Sequence, residues 1–92
     1  MKVRLSRAAE ADLKIQIDWL VERSPAAAEK AGQRLFDAIG LLAEFPRLGL
    51  AADGRIREKH VRFGRDGFVI RYQIRPGEIF VRRIYHSMQD RS

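Results

Sequence analysis

The chain has 92 residues, 46% hydrophobic and 33% charged, which predicts one domain spanning 1–92 and excludes a disordered tail, a collagen or a low-complexity linker. It has no cysteine, so a disulfide, a thiolate zinc site and a cysteine nucleophile are excluded, and two histidines argue against a structural metal site. The net charge is +6, no apolar run approaches the roughly 20 residues that span a bilayer, and Lys2 and Arg4 lead into mixed polar sequence, so the expectation is a cytoplasmic protein without membrane contact, metal or cofactor.

In chain order, Val3–Leu5 reads as a short edge strand. Ser6 is a helix N-cap with Glu10 and Asp12 near the positive end of the helix dipole. Ala9, Leu13, Ile17 and Leu20 then recur on one helical stripe, with Ile15 and Trp19 on a second flank. Ser24-Pro25 ends this helix and starts the next, since proline at the first helical position loses no hydrogen bond. Ala28, Ala31, Leu35, Ile39 and Leu42 form the second stripe, and Pro46, Gly49 and Gly54 punctuate a loop. The first half is therefore a helical hairpin.

From Ile56 the hydrophobic period falls to two. Turn sequences at Gly64–Gly67 and Arg75–Glu78 divide the remainder into strands at 56–63, 68–75 and 78–86, an antiparallel meander. If Phe63 faces Phe68 and Ile74 faces Ile79, one face carries Val61, Phe63, Phe68, Ile70, Tyr72, Ile74, Ile79 and Val81 against the helices. The other face then aligns His60, Arg71 and Arg82, with Arg62 and Ile84 one step along. The expected core includes Leu13, Ile17, Trp19, Leu35, Leu42, Phe45, Ile70, Tyr72 and Val81.

The charge is polarised along the chain. Residues 1–54 hold eight basic and eight acidic side chains, whereas 55–92 hold ten basic, nine of them Arg, against four acidic, which is the whole +6. Like charges aligned on a sheet destabilise it. The row of cations therefore points to an anionic partner, either phosphate or an acidic segment.

Three stretches carry a family resemblance. Leu5-Ser6-Arg7-Ala8-Ala9-Glu10-Ala11-Asp12-Leu13 resembles the serine-capped opening helix of the ParE/RelE toxin superfamily of bacterial type II toxin–antitoxin modules. Leu42-Ala43-Glu44-Phe45-Pro46-Arg47-Leu48-Gly49 resembles its L-x-x-F/H-P-x-x-G hinge. Val81-Arg82-Arg83-Ile84-Tyr85-His86-Ser87-Met88-Gln89-Asp90 resembles its V-x-R-I/V-x-H-x-x-x-D last strand. The resemblance implies an α+β fold: a short N-terminal strand, a helical hairpin, then a three-stranded antiparallel meander. It also implies a cognate antitoxin as partner.

Two branches imply different functions. ParE-like members resemble inhibitors of DNA gyrase that act by protein–protein contact, without catalysis by the toxin. The Arg-dominated sheet, the Ser-Pro hinge and the Ile-Tyr-His-Ser-Met-Gln ending resemble this plasmid-stabilisation-like branch. It implies a ParD-like antitoxin with an acidic C-terminal segment in a hetero-oligomer, and His60, Arg62, Arg71, Arg82, Arg83 and His86 as residues that bind target or antitoxin. RelE-like members resemble ribosome-dependent mRNA endoribonucleases, which need a base, an acid and a cationic clamp on the phosphate. Here the base would be Lys59 or His60, the clamp Arg62, Arg71 and Arg82, and the acid Tyr85 or His86. These residues fall on both expected faces, and Lys59 is the only lysine of the sheet, so the reading leans away from an enzyme. A plain nucleic-acid-binding module is disfavoured, because no aromatic platform is interleaved with the cations and the helical half is charge-neutral.

Overall fold

The computed structural model describes residues 1–88. A strand β1 (Lys2–Leu5) leads into helices α1 (Arg7–Arg23) and α2 (Pro25–Glu44), followed by four strands, β2 (Leu50–Asp53), β3 (Ile56–Phe63), β4 (Asp66–Arg75) and β5 (Glu78–His86). They form one sheet in the order β1-β5-β4-β3-β2, with β1 parallel to β5 and every other neighbour antiparallel. Both helices lie against one face of it. The expected α+β architecture is therefore present, enlarged by one strand. Asp90, the last residue of the C-terminal motif, lies outside the described residues.

Local chemistry sets the helix ends. Ser6 caps α1, its Oγ accepting from the Ala9 N–H at 3.0 Å. Ser24 serves both helices: its N–H donates to the Leu20 carbonyl at 2.7 Å, closing α1, and its Oγ accepts from Ala27 N at 3.1 Å, opening α2. One residue thus satisfies orphan groups at two helix termini. The buried stripe of α2, Ala28, Ala31, Leu35, Ala38 and Leu42, meets Ile70, Tyr72, Ile79, Val81 and Ile84 of the sheet.

The expected register needs two corrections. The β3–β4 turn consists of Gly64 and Arg65 alone, with Gly64 at a φ of 63°, so Phe63 pairs with Asp66 rather than Phe68. Gly67 belongs to the strand, where an added Cβ would collide with the Val61 carbonyl. This slip of two residues keeps every side chain on its expected face but sets Arg71 opposite Glu58 and His60 opposite Val69. The second correction is a bulge. Tyr72 pairs with Val81 but Arg71 pairs with Arg83, leaving Arg82 as the extra residue. Ile84, expected on the open face, is thereby turned into the core opposite Ile70 and is 1% exposed.

Two expected core residues lie outside. Trp19 is 54% exposed, on the flank of α1, with the Arg23 guanidinium 3.7 Å above its ring. Phe45 is 59% exposed, because it is the C-cap of α2 and the chain turns there. Leu13 and Ile17 are half-buried against the core. The segment β2, read as loop, has four exposed residues and hence no alternation to detect.

The hinge after α2 is fastened by Tyr72. Its hydroxyl donates to the Pro46 carbonyl at 2.7 Å and accepts from Gly49 N at 2.9 Å, while Arg57 donates to the carbonyls of Arg47 and Gly49. A Cβ on Gly49 would sit 2.7 Å from the Tyr72 ring and 2.8 Å from the Glu58 carbonyl. The glycine that ends the hinge motif is there for close approach, not for turn geometry.

The edges of the sheet are treated unequally. β5 runs beyond β1, and α1 covers the backbone so exposed. Ser6 N donates to Val81 O at 2.9 Å and Ser6 Oγ to Arg82 O at 2.6 Å, Ile84 N donates to Asp12 at 2.9 Å, and Gln16 Nε2 donates to Ile84 O at 2.6 Å. β1 carries Lys2 and Arg4, charges of the kind that discourage further pairing. β2 carries one charge, Asp53, and no helix covers it.

In urea denaturation, Leu35→Ala is expected to remove about 2–5 kcal/mol, whereas Phe36→Ala, one residue along but 74% exposed, should change stability by no more than about 0.5 kcal/mol. Gly49→Ala should destabilise despite its better chain-entropy term, because the Tyr72 bridge to Pro46 and Gly49 must open. An unchanged midpoint for Gly49→Ala would refute that account.

Candidate docking site

The helix-free face of the sheet carries the cations. By strand alternation it presents Glu58, His60 and Arg62 from β3, Val69, Arg71 and Gln73 from β4, and Phe80, Arg82, Arg83 and Tyr85 from β5. An open groove of about 780 Å³ runs over it, its lining including Ile56, Gln73, Phe80 and Tyr85 together with Arg71, Arg82 and Arg83. The bulge is what brings two consecutive arginines to this groove.

Most of these cations are held in place from within. Arg83 makes a two-toothed pair with Asp12 of α1 at 2.8 and 2.9 Å, and that hydrogen bonding raises its pKa further above the usual arginine range. Arg71 lies 3.7 Å from Glu58. Arg4 and Arg75 both reach Glu78, chiefly the 3.0 Å bond from Arg4, which holds that carboxyl below its ordinary pKa. The same two guanidinium groups both lie over the Phe80 ring, at 4.5 and 4.0 Å from its centroid. Gln73 Oε1 accepts from Arg75 at 3.1 Å and from Arg82 at 3.4 Å.

The expected row of His60, Arg71 and Arg82 is therefore replaced. Arg71 is flanked by Glu58 and Arg83, and the like-charged pair Arg71–Arg83 is relieved by Glu58 and Asp12 rather than left for a partner. Arg62 and Arg82 are the exposed cations of this face with no carboxylate partner among the described residues. The doublet Arg82-Arg83 between Val81 and Ile84 was the available signal: two apolar residues three apart share a face only if a strand bulges between them. Asp12 carried no comparable signal, since an acidic residue near a helix start is explained by the dipole alone.

The residues considered for catalysis divide between the faces. His60, Arg62, Arg71, Arg82 and Tyr85 share the open side. Lys59 pairs with Ile70 and His86 with Phe68, both on the helix side. His86 stands edge-on to Phe68, with centroids 6.2 Å apart, and its Nδ1 accepts from Met88 N at 3.2 Å. It lines an apolar groove of about 320 Å³ with Ile15, Trp19, Leu20, Phe63 and Phe68. On the open side His60 and Tyr85 stand on strands that flank β4, with Val69 between them, so about 9–10 Å of sheet separates their backbones. Among the described residues, no group of three or more His, Cys, Asp or Glu could hold a metal ion, and no helix is long and apolar enough to cross a membrane.

Comparison with known proteins places this arrangement. Residues 3–91 match the sequence model of the family described as the ParE toxin of type II toxin–antitoxin system, parDE. Toxin RelE1 of Caulobacter vibrioides is 37% identical over 89 residues, covering 97% of this chain and 96% of that protein, and Toxin RelE3 of the same organism is 34% identical over 89 residues, covering 97% of both. A chain from the chromosomal ParDE TA system of P. aeruginosa shares the fold, with a TM-score of 0.75 at 24% identity over 94% of this chain and 95% of that one. The chain belongs to the ParE toxin family of type II toxin–antitoxin systems, within the ParE/RelE superfamily.

Proposed function

We propose that this toxin inhibits DNA gyrase by protein–protein contact, and that a ParD-like antitoxin neutralises it in a hetero-oligomer of the plasmid-stabilisation type. In this reading the open basic face is the contact surface. An acidic C-terminal antitoxin segment lies along its groove with carboxylates on Arg82 and Arg62, while apolar anchors rest on the helix side beside Trp19 and His86. The observation that carries the reading is the spacing of the proton-transfer candidates: His60 and Tyr85 are held apart by Val69, and Lys59 and His86 lie behind the sheet. A ribonuclease needs base, acid and clamp around one reacting centre. Docking needs shape and positive charge, which the groove supplies.

A second reading has its own support. His60, Arg62, Arg71, Arg82 and Tyr85 do share a face, and the Caulobacter relatives carry the name RelE. In a ribosome-dependent mRNA endoribonuclease, His60 would take the proton, Tyr85 would return one and the arginines would hold the phosphate.

One paired assay separates the two. The purified chain is tested for inhibition of gyrase supercoiling and for cleavage of ribosome-bound mRNA, and the first effect alone is expected. If His60→Ala or Tyr85→Phe abolishes an mRNA cut while the fold survives, the ribonuclease reading wins. The arginines should separate as well. Arg82→Ala is expected to weaken antitoxin and gyrase binding in a salt-sensitive way with unchanged melting temperature, because it is exposed and holds only Gln73. Arg83→Ala should instead lower stability by about 1–3 kcal/mol, since Asp12, with a side chain 12% exposed, loses its two charged donors. Calorimetric titration beside thermal melts of both variants checks the division.

A further inference from the structure

The two edges of the sheet differ in their cover. The upper part of β5 is covered by Ser6, Asp12 and Gln16, and β1 carries Lys2 and Arg4. At the opposite edge, β2 reads Leu-Ala-Ala-Asp, all four residues exposed, with no strand beyond it in the sheet order. Leu50 is 72% exposed, and Phe45 and Leu48, which precede it in the chain, are 59% and 44% exposed. An uncovered apolar edge is a template for another strand.

We infer that β2 pairs antiparallel with β2 of a second copy, joining the two sheets into one of ten strands about a twofold axis. The charge pattern selects a copy of the chain rather than an acidic segment. Residues 44–55 hold Glu44, Arg47, Asp53 and Arg55, a net charge of zero, so the surplus of +6 lies elsewhere, much of it on the open face. Arg47 and Asp53 stand three residues to either side of Leu50, and neither side chain has an ion pair among the described residues. Arg47 lies in the turn just before the strand, so an antiparallel crossing at Leu50 sends that turn of each copy towards the Asp53 end of the other. That is self-complementary twice over, as a twofold interface requires. The same crossing covers Leu50, Leu48 and Phe45.

The pairing is short. The register of β2 on β3 shifts between Ala51 and Asp53, which confines regular pairing to the neighbourhood of Leu50 and Ala51. The dimer is accordingly weak and concentration-dependent, at the small end of specific interfaces. It leaves both basic faces open, so the assembly offers two docking grooves at once. The inference does not depend on which cellular target the toxin has.

Sedimentation velocity of the full chain over a concentration series tests it. The mass should rise from 10.6 kDa towards twice that value. Leu50→Lys, an exposed position outside the core, should raise the dissociation constant at least about tenfold while circular dichroism stays unchanged. Arg47→Asp and Asp53→Arg should each weaken the dimer, and the two together should restore it, a rescue that no purely structural role of either residue explains. A single 10.6 kDa species at every concentration overturns the inference. So does a dimer indifferent to Leu50→Lys and to the charge exchange, which would place the interface elsewhere. If Leu50→Lys leaves the chain monomeric as before but releases the antitoxin, the edge belongs to that partner and the inference again fails.

Discussion

The docking of α1 along the upper backbone of β5 is the constraint on which the remainder depends. β1 is only four residues long and leaves that side of β5 without a strand neighbour beyond Val81. Unpaired backbone groups there would be costly to bury. Ser6, Asp12 and Gln16 answer them in order along one side of the helix, meeting the carbonyls of Val81, Arg82 and Ile84 and the N–H of Ile84. Because Asp12 and Gln16 stand four residues apart on one helix face and the Ser6 cap holds the N-terminal end, α1 is fixed in rotation and in tilt. That orientation presents Ala9 and Leu13 to the core and leaves Ile15 and Trp19 outside it.

Asp12 ties this docking to the electrostatics of the other face. Its carboxylate receives the Ile84 N–H and both Arg83 donors, so one side chain holds the helix, supports the bulge and neutralises a cation. With Arg83 committed, the bulge leaves Arg82 as the exposed member of the doublet. Positive charge on a sheet is usually a liability to be spread out. Here the half-buried carboxylates Asp12, Glu58 and Glu78 absorb most of it, and the residual exposed charge is concentrated on few positions.

The helices, their caps and the identity of the core face were legible in the sequence because each rests on local chemistry or simple periodicity. Ser6 and Ser24-Pro25 mark ends by hydrogen-bonding chemistry that needs no tertiary context, and Phe68, Ile70 and Tyr72 alternate cleanly. What escaped depends on counting across strands. Asp66-Gly67 has the composition of a turn, yet Gly67 is a strand residue required by its closeness to Val61. Trp19 and Phe45 are as hydrophobic as any core residue, and only the rotation of α1 and the hinge geometry decide that they face outward. The basic face was legible as an excess of arginine but not as an arrangement, since the carboxylates that engage it lie on α1, on β3 and at the start of β5.

The parallel pairing of the first strand with the last also governs when the molecule can exist at all. Lys2–Leu5 finds its partner only in Glu78–Val81, and β5 is an inner strand flanked by β1 and β4. A nascent chain still lacking residues 78–86 has no Ile79, Val81 or Ile84 to close the core, and its Asp12 and Gln16 have nothing to hold. The helical hairpin can form on the ribosome, but the native state must wait for nearly complete synthesis. Partial products would lack the assembled basic face, and the toxin comes into being in a single late step, when an antitoxin made beforehand could already be waiting.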